Sequence, residues 1–467
     1  MLGFETIGNA TAICYDEDPV LVTDPWIAGD AYFGSWAPAF AIPAAQHDAI
    51  RRAKYAWFSH GHPDHTNLAS LDLLSGKTLL LPDHAGGRME RDLKGMGFTV
   101  QVMPDRQWVQ LSNRVKALCV SDYNQDGVLL IDVGGTLLVD VNDAGEMGWG
   151  RFIKNIIKGY KRSFLLKLFG YGDADMINVM REDGSRLLPP APDSGPEARE
   201  FWSRYLNEKL SFWTGYFGTT HVIPFSMFHL YQRSDSLWAD RWRTPLNQIE
   251  GAQLHGCEML PAFVRFDCAN DSITEIRPQA LEAGTRQPED FGDNWSEPLN
   301  NDEAKVVANY FRSIEYLKDH LDFVRVRVGG KEHSIDLAAP GKRGRGISFE
   351  VPRGSLMSAV TYEFFDDLLI GNFMKTTLHG DWGTALAPNV LYAHFSPFVT
   401  RYADNGGAKT KQQLDEYFSV YRQRARFDHI RHRLESEGTQ KLRSWITPGS
   451  LAFRVGARAY SMIKGLS

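Results

Sequence analysis

Cysteine is scarce and scattered in this chain. Its 467 residues hold four, Cys14, Cys119, Cys257 and Cys268, with no Cys-x-x-Cys pair. That excludes a zinc ribbon or a disulfide framework as the basis of the fold and fits a reducing compartment. Long apolar runs are missing as well: nothing approaches the roughly 20 residues needed to span a bilayer. The first residues show no basic stretch followed by an apolar core, so no secretory leader is read there. Charge is close to balanced, 51 Lys and Arg against 57 Asp and Glu for a net −6, which gives no electrostatic case for nucleic acid as a partner. A soluble, cytoplasmic protein of one to three domains is expected.

What is present concentrates in one loop. Ser59-His60-Gly61-His62-Pro63-Asp64-His65 places four metal-capable side chains within six residues. It follows the apolar run Tyr55-Ala56-Trp57-Phe58, which reads as a short buried strand, and its Gly and Pro read as a tight turn. Such a loop can point His60 and His62 one way and Asp64 and His65 the other, so that one loop serves two adjacent divalent metal ions. Neutral imidazole and carboxylate suit zinc, iron or manganese.

Around the loop, short apolar segments alternate with turns. Strands are expected at 11–15 and 20–23, at 78–81, at 107–111 and 115–120, and in a hairpin of 128–132 with 136–140 turned by Gly134-Gly135. Helices are expected at 67–75, with Asn67 as cap, and at 87–95. The aromatic stretch 30–36 suits either a pocket mouth or ordinary loop packing. Residues 151–168, basic and apolar together, read as an amphipathic helix that covers the core or touches a membrane surface or anionic ligand. Asp173 and Asp175 face a site or form a turn.

Beyond residue 265 the pattern changes. An amphipathic helix is expected at 302–321, strands at 323–328 and 347–351, and a long charged helix at 408–438 with His429 and His432 facing solvent among arginines. The basic glycine loop 341–346 is a solvated loop or a phosphate cradle. His379 is read as able to approach the site from this half. Two regions follow: 1–265, metal-binding, and 266–467, an accessory α+β region.

The spacing of His60, His62, Asp64 and His65 resembles the HxHxDH signature of the metallo-β-lactamase superfamily. Asp24-Pro25-Trp26, Phe33-Gly34-Ser35-Trp36 and Ile370-Gly371-Asn372-Phe373 add a resemblance to its CMP-N-acetylneuraminate hydroxylase branch. The resemblance implies a mixed α/β fold, an αββα sandwich of two mixed sheets with helices outside and metals at one sheet edge, carrying a C-terminal α+β extension. It implies that Asp24 orients the metal loop, that Asp143 (or, failing it, Asp140) bridges the metals, and that His229 (or His221) is the last ligand. His84 falls where the superfamily has scaffold. One departure stands out: the histidine that normally precedes the hairpin is missing, and Asp122 takes its place. His60, His62 and Asp122 would then form the two-histidine, one-carboxylate set typical of non-haem iron. The branch's hydroxylases also carry a Rieske module, whose Cys-x-His and Cys-x-x-His pairs this chain lacks.

Two enzyme classes follow. A metal-dependent hydrolase activates water at a dinuclear centre, with Asp64 or a site histidine such as His229 steering protons. A non-haem iron oxygenase acts on a sugar, nucleotide sugar or similar polar metabolite and draws on an external electron-donor protein. The hydrolase is the broader expectation, with a small, anionic or sugar-containing substrate. A non-catalytic metal-binding protein is the third reading.

Overall fold

The computed structural model describes residues 1–434 apart from 122–124, 171–175, 251, 253, 255, 283, 339–343, 384–386, 388, 401–406 and 433. Among them, two large sheets lie face to face. The first has eight strands in the spatial order Ser272–Glu275, Val264–Asp267, Leu2–Ile7, Thr11–Asp16, Asp18–Thr23, Tyr55–Trp57, Thr78–Pro82, Thr99–Met103. The second has seven: Glu258–Met259, His221–Pro224, Ser163–Lys167, Thr136–Asn142, Gly127–Val133, Val115–Ser121, Trp108–Gln110.

Period-two alternation sorts the side chains into layers. Phe4, Cys14, Leu21, Trp57 and Leu80 of the first sheet meet Ala117, Leu129, Ile131, Phe164 and Ile223 of the second in one dry interior. Phe4 and Phe164 pack edge to face with ring centroids 4.9 Å apart. The other faces, through Ile13, Val22, Ala56 and Leu79 or Leu130, Val139, Leu165 and Val222, bury against helices. These include Ala44–Arg52, Arg88–Gly95, Gly150–Ile157 and Pro196–Phe217. Each buried aliphatic or aromatic side chain contributes about 1.5–3 kcal/mol. The result is the expected αββα sandwich.

The helix Pro196–Phe217 was not anticipated. Its buried residues Trp202, Leu206, Leu210, Trp213 and Phe217 recur every three or four positions, with Pro196 at its first turn and left-handed Gly218 closing it. The 151–168 stretch, by contrast, is two elements. The helix stops at Ile157, and Ser163–Lys167 is a fully buried strand with a parallel neighbour on each side. A parallel strand buried on both faces shows no alternation, so its pattern passes for helix. Lys167 is buried, donates to the Ala144 carbonyl and lies 4.3 Å from the Trp213 ring. The helix expected over 302–321 ends at Ser313 and resumes only as Leu317–His320.

A third sheet runs Val179–Arg181, Lys375–His379, Gly346–Glu350, Phe323–Val328, Lys331–Asp336. Its first strand comes from before residue 265, while Val264–Asp267 and Ser272–Glu275 pair onto the first sheet. The two halves are thus interleaved. Arg233, fully buried, binds Asp235 and Asp293 at 2.9 Å each and lies 3.9 Å from the Phe373 ring. The Asn372 side chain accepts the Ile177 and Asn178 N–H groups and donates to the Tyr231 hydroxyl. Such buried polar ties fix one docking geometry. His379 is held within this half by Ser348 and Glu182. Gly344 N–H of the basic glycine loop donates to Asp322, and residues 341–343 lie outside the described residues. His429 is buried, not solvent-facing.

Candidate metal centre

Two parallel strands of the first sheet and one strand of the second end at one place. Asp18–Thr23 delivers Asp24, Tyr55–Trp57 leads into the histidine loop, and Thr136–Asn142 delivers Asn142 and Asp143. His221–Pro224 of the second sheet adds Ser226. The carboxyl ends of parallel strands are where such sheets place ligands. Asp24, Asn142 and Ser226 all take left-handed backbone, with φ of 34°, 52° and 56°. Non-glycine residues held in that region mark a backbone shaped by its surroundings. Gly127 sits against the loop and donates to the Ser59 carbonyl; a Cβ there would lie 2.4 Å from Pro82.

Asp24, fully buried, cages the loop. Its carboxylate accepts the Ser59 N–H at 2.7 Å, the Ser59 hydroxyl at 2.6 Å and the Asn142 amide at 2.6 Å, and it lies 3.1 Å from His65 Nδ1. A proton on Nδ1 satisfies that contact and leaves the His65 Nε2 lone pair facing inward. Nε2 lies 3.3 Å from both Asp64 and Asp143. His60 Nε2 lies 3.9 Å from the same Asp143 oxygen and 2.9 Å from His62 Nδ1. On the far side, His62 Nε2 lies 3.1 Å from Asp366.

Among the described residues two donor groups result, each with its donor atoms within 4.8 Å of one another: His60, His65 and Asp143, and His62, Asp366 and Asp367. Two donors about 2.1 Å from one ion at a tetrahedral angle stand about 3.4 Å apart. The observed separations suit that spacing, so the residues fit a metal in each group. The electrostatics agree. Burial, His65 and His62 hold His60 well below the usual imidazole range. Burial also disfavours the His62 imidazolium, but Asp366 and Asp367 outweigh it and raise His62 to about 10. Burial and Asp366 push the Asp367 carboxyl well above its ordinary value. Crowded buried carboxylates that hold a proton on a neighbour are short of positive charge, which a divalent cation supplies.

Several expected placements differ. The loop brings His60 Nε2 to His62 Nδ1, as expected, and also sets it beside His65 and Asp143, while the other nitrogen of His62 turns to Asp366 and Asp367, a pair the sequence reading passed over. Asp64 adjoins the first group, where burial opposes its ionisation but His65 and the Tyr32 hydroxyl (2.6 Å) keep it ionised. Asn9 donates to its other oxygen at 3.1 Å. Asp140 lies buried outside both groups, its carboxyl raised by burial and by Asp24. His229 belongs to neither group; it stacks on Trp36 with ring centroids 3.5 Å apart. His221 stands at the other end of its strand, on Thr220 and Phe164. His84 is buried beside a separate cavity and held low, to about 3, by burial. Asp122, Asp173 and Asp175 lie outside the described residues. Reading missed Ser226, whose hydroxyl donates to Asp143 at 2.6 Å, and with it Asn9 and Asn142.

Two facing sheets between helices, with the histidine loop at the strand ends, are the arrangement expected of a metallo-β-lactamase-like fold. No model of a known protein family matches the chain. In sequence, the chain is similar to the cytidine monophosphate-N-acetylneuraminic acid hydroxylase of Asterias rubens, 26% identical over 144 residues, 29% of this chain and 22% of that protein. The match thus spans about a fifth of that relative's length. Among solved structures, a metallo hydrolase from Ignicoccus hospitalis aligns at TM-score 0.32 and 13% identity over 56% of this chain and 97% of its own. A diiron β-hydroxylase from Streptomyces venezuelae aligns at TM-score 0.34 and 12% identity over 59% of this chain and 54% of its own. Among the described residues, no helix is long and apolar enough to cross a membrane.

Proposed function

We propose that the chain is a metal-dependent hydrolase whose two ions are held by His60, His65 and Asp143 and by His62, Asp366 and Asp367. The observation that carries this is the 2.9 Å contact between His60 and His62, which makes the two donor groups neighbours. Bound by these residues, a pair of divalent cations would supply a water of lowered pKa and polarise the bond under attack.

The chain's own residues do the rest. Asp24, Ser59 and Asn142 hold His65 with Nε2 inward. The Ser226 hydroxyl fixes the orientation of Asp143. Tyr32 and Asn9 hold Asp64 ionised beside His65, where its carboxylate can take a proton from an attacking water. Burial of His60 and His65 excludes bulk solvent from the first group, while half-buried His62 faces a cavity through which substrate enters.

A second reading is an iron oxygenase that hydroxylates its substrate with electrons from a separate protein. The two-histidine, one-carboxylate composition of the first group favours it, since that set typifies non-haem iron. The sequence likeness to the hydroxylases points the same way. Elemental mass spectrometry of chain purified anaerobically separates the readings. About two zinc or manganese ions per chain supports the hydrolase; iron with a Mössbauer signature supports the oxygenase; no metal overturns both.

A further inference from the structure

The cavity beside the second donor group says what kind of molecule reaches it. Its volume is about 690 Å3, within the range of small-molecule pockets. His62, Asp366 and Asp367 are among its lining residues. Its walls are apolar: Leu71 and Leu93 are buried in them, and Leu68 and Met96 stand at the rim 66% and 55% exposed. The wall is built by three separate pieces of chain, the helix after the histidine loop, the helix Arg88–Gly95 and the segment Tyr362–Phe364. Large apolar side chains exposed around a cavity mouth are a recognition feature, because solvent alone would favour polar ones.

Charge narrows the choice. Among the described residues lining the cavity the one Arg or Lys is Arg91, which stands beside Asp92. A nucleotide sugar would bring several phosphate and hydroxyl groups to walls that offer few donors to meet them. We propose that this cavity binds an uncharged molecule with an aliphatic limb, its polar head turned toward His62, Asp366 and Asp367. This assignment rests on the metal-centre reading above for the role of the head group, and on the cavity walls alone for the limb. The same limb chemistry is available from a dissolved metabolite or from a lipid surface.

The test is isothermal titration of the full chain as purified, with the N-methyl amides of hexanoic, octanoic and decanoic acid, and with cytidine 5′-monophosphate. An apolar wall predicts roughly fourfold tighter binding for each added methylene, about fifteenfold per step of the series. Leu68→Glu with Met96→Glu, both exposed positions that leave the core untouched, should weaken the decanoyl amide at least tenfold, whereas Leu73→Glu, exposed but outside the cavity, should not. Affinity independent of chain length, or cytidine monophosphate binding more tightly than the decanoyl amide, overturns the proposal. So does an unchanged double variant. Co-sedimentation with phosphatidylcholine vesicles distinguishes a lipid source from a dissolved one. Metal content, measured on the same preparation, keeps the two readings apart. Bound metal without chain-length dependence overturns the limb alone, and steep chain-length dependence in a chain that holds no metal overturns the enzyme reading alone.

Discussion

Replacing Asp24 probes the whole arrangement at once. Its carboxylate takes three hydrogen bonds of 2.6–2.7 Å and a fourth contact to His65, all inside a site shielded from water. In Asp24→Ala the Ser59 N–H and the Asn142 amide lose their acceptor. Each stranded buried donor costs about 1–3 kcal/mol, so a loss of about 2–6 kcal/mol is expected. Asp24→Asn is the sharper variant. It keeps the volume and one acceptor oxygen, but its NH2 group turns toward His65 Nδ1 and makes that nitrogen an acceptor. The ring proton then moves to Nε2, the nitrogen that faces Asp143, and blocks it. Metal affinity should fall ten- to a hundredfold with only part of the stability loss. Urea unfolding gives the stability, and competition with a chromophoric chelator on the stripped chain gives the affinity. An Asp24→Asn variant that binds metal within threefold of the parent refutes the idea that this carboxylate sets the His65 tautomer.

Asp366→Asn combined with Asp367→Asn should lower metal content from two ions to one while the His60 group still binds, as read by elemental analysis. Arg233→Met leaves the Asp235 and Asp293 carboxylates without their buried cation and should cost about 3–5 kcal/mol in urea unfolding. Adding Asp293→Asn should restore part of that. His394 should titrate near pH 4 by NMR, because burial, then His320 and Arg345, oppose its charged form. Its folded pKa lies below the unfolded value of about 6.5, so the unfolded chain binds more protons between the two. Its contribution to stability is therefore whole above pH 6.5 and shrinks as pH falls toward 4.

How much of this could be read in advance depended on sequence distance. The histidine loop was legible because its chemistry is packed into six consecutive residues after a recognisable strand. Most strands were legible from alternation, and Asn67 from its capping type; its side chain accepts the Ala69 and Ser70 N–H groups. Asp366 and Asp367 were not, because an acidic pair at a helix start is common and nothing local ties it to a loop 304 residues away. The signal that existed was their place just ahead of Ile370-Gly371-Asn372-Phe373, a stretch already singled out. Asn9, Asn142 and Ser226 are single polar residues at strand ends, and only the left-handed backbone of the last two sets them apart.

The distance between His62 and Asp366 also orders events in time. A ribosome releases the histidine loop, Asp24 and Asp143 long before it reaches the acidic pair, and segments tend to fold in the order they emerge. The first donor group can close within the sandwich, while the second waits for the C-terminal sheet to dock through Arg233 and Asn372. Contacts this remote along the chain form late and slowly. An unfinished or truncated chain can therefore assemble one half of the centre but not the other. The full constellation, and the apolar cavity whose wall Phe364 completes, exists only once the whole polypeptide has been made and packed.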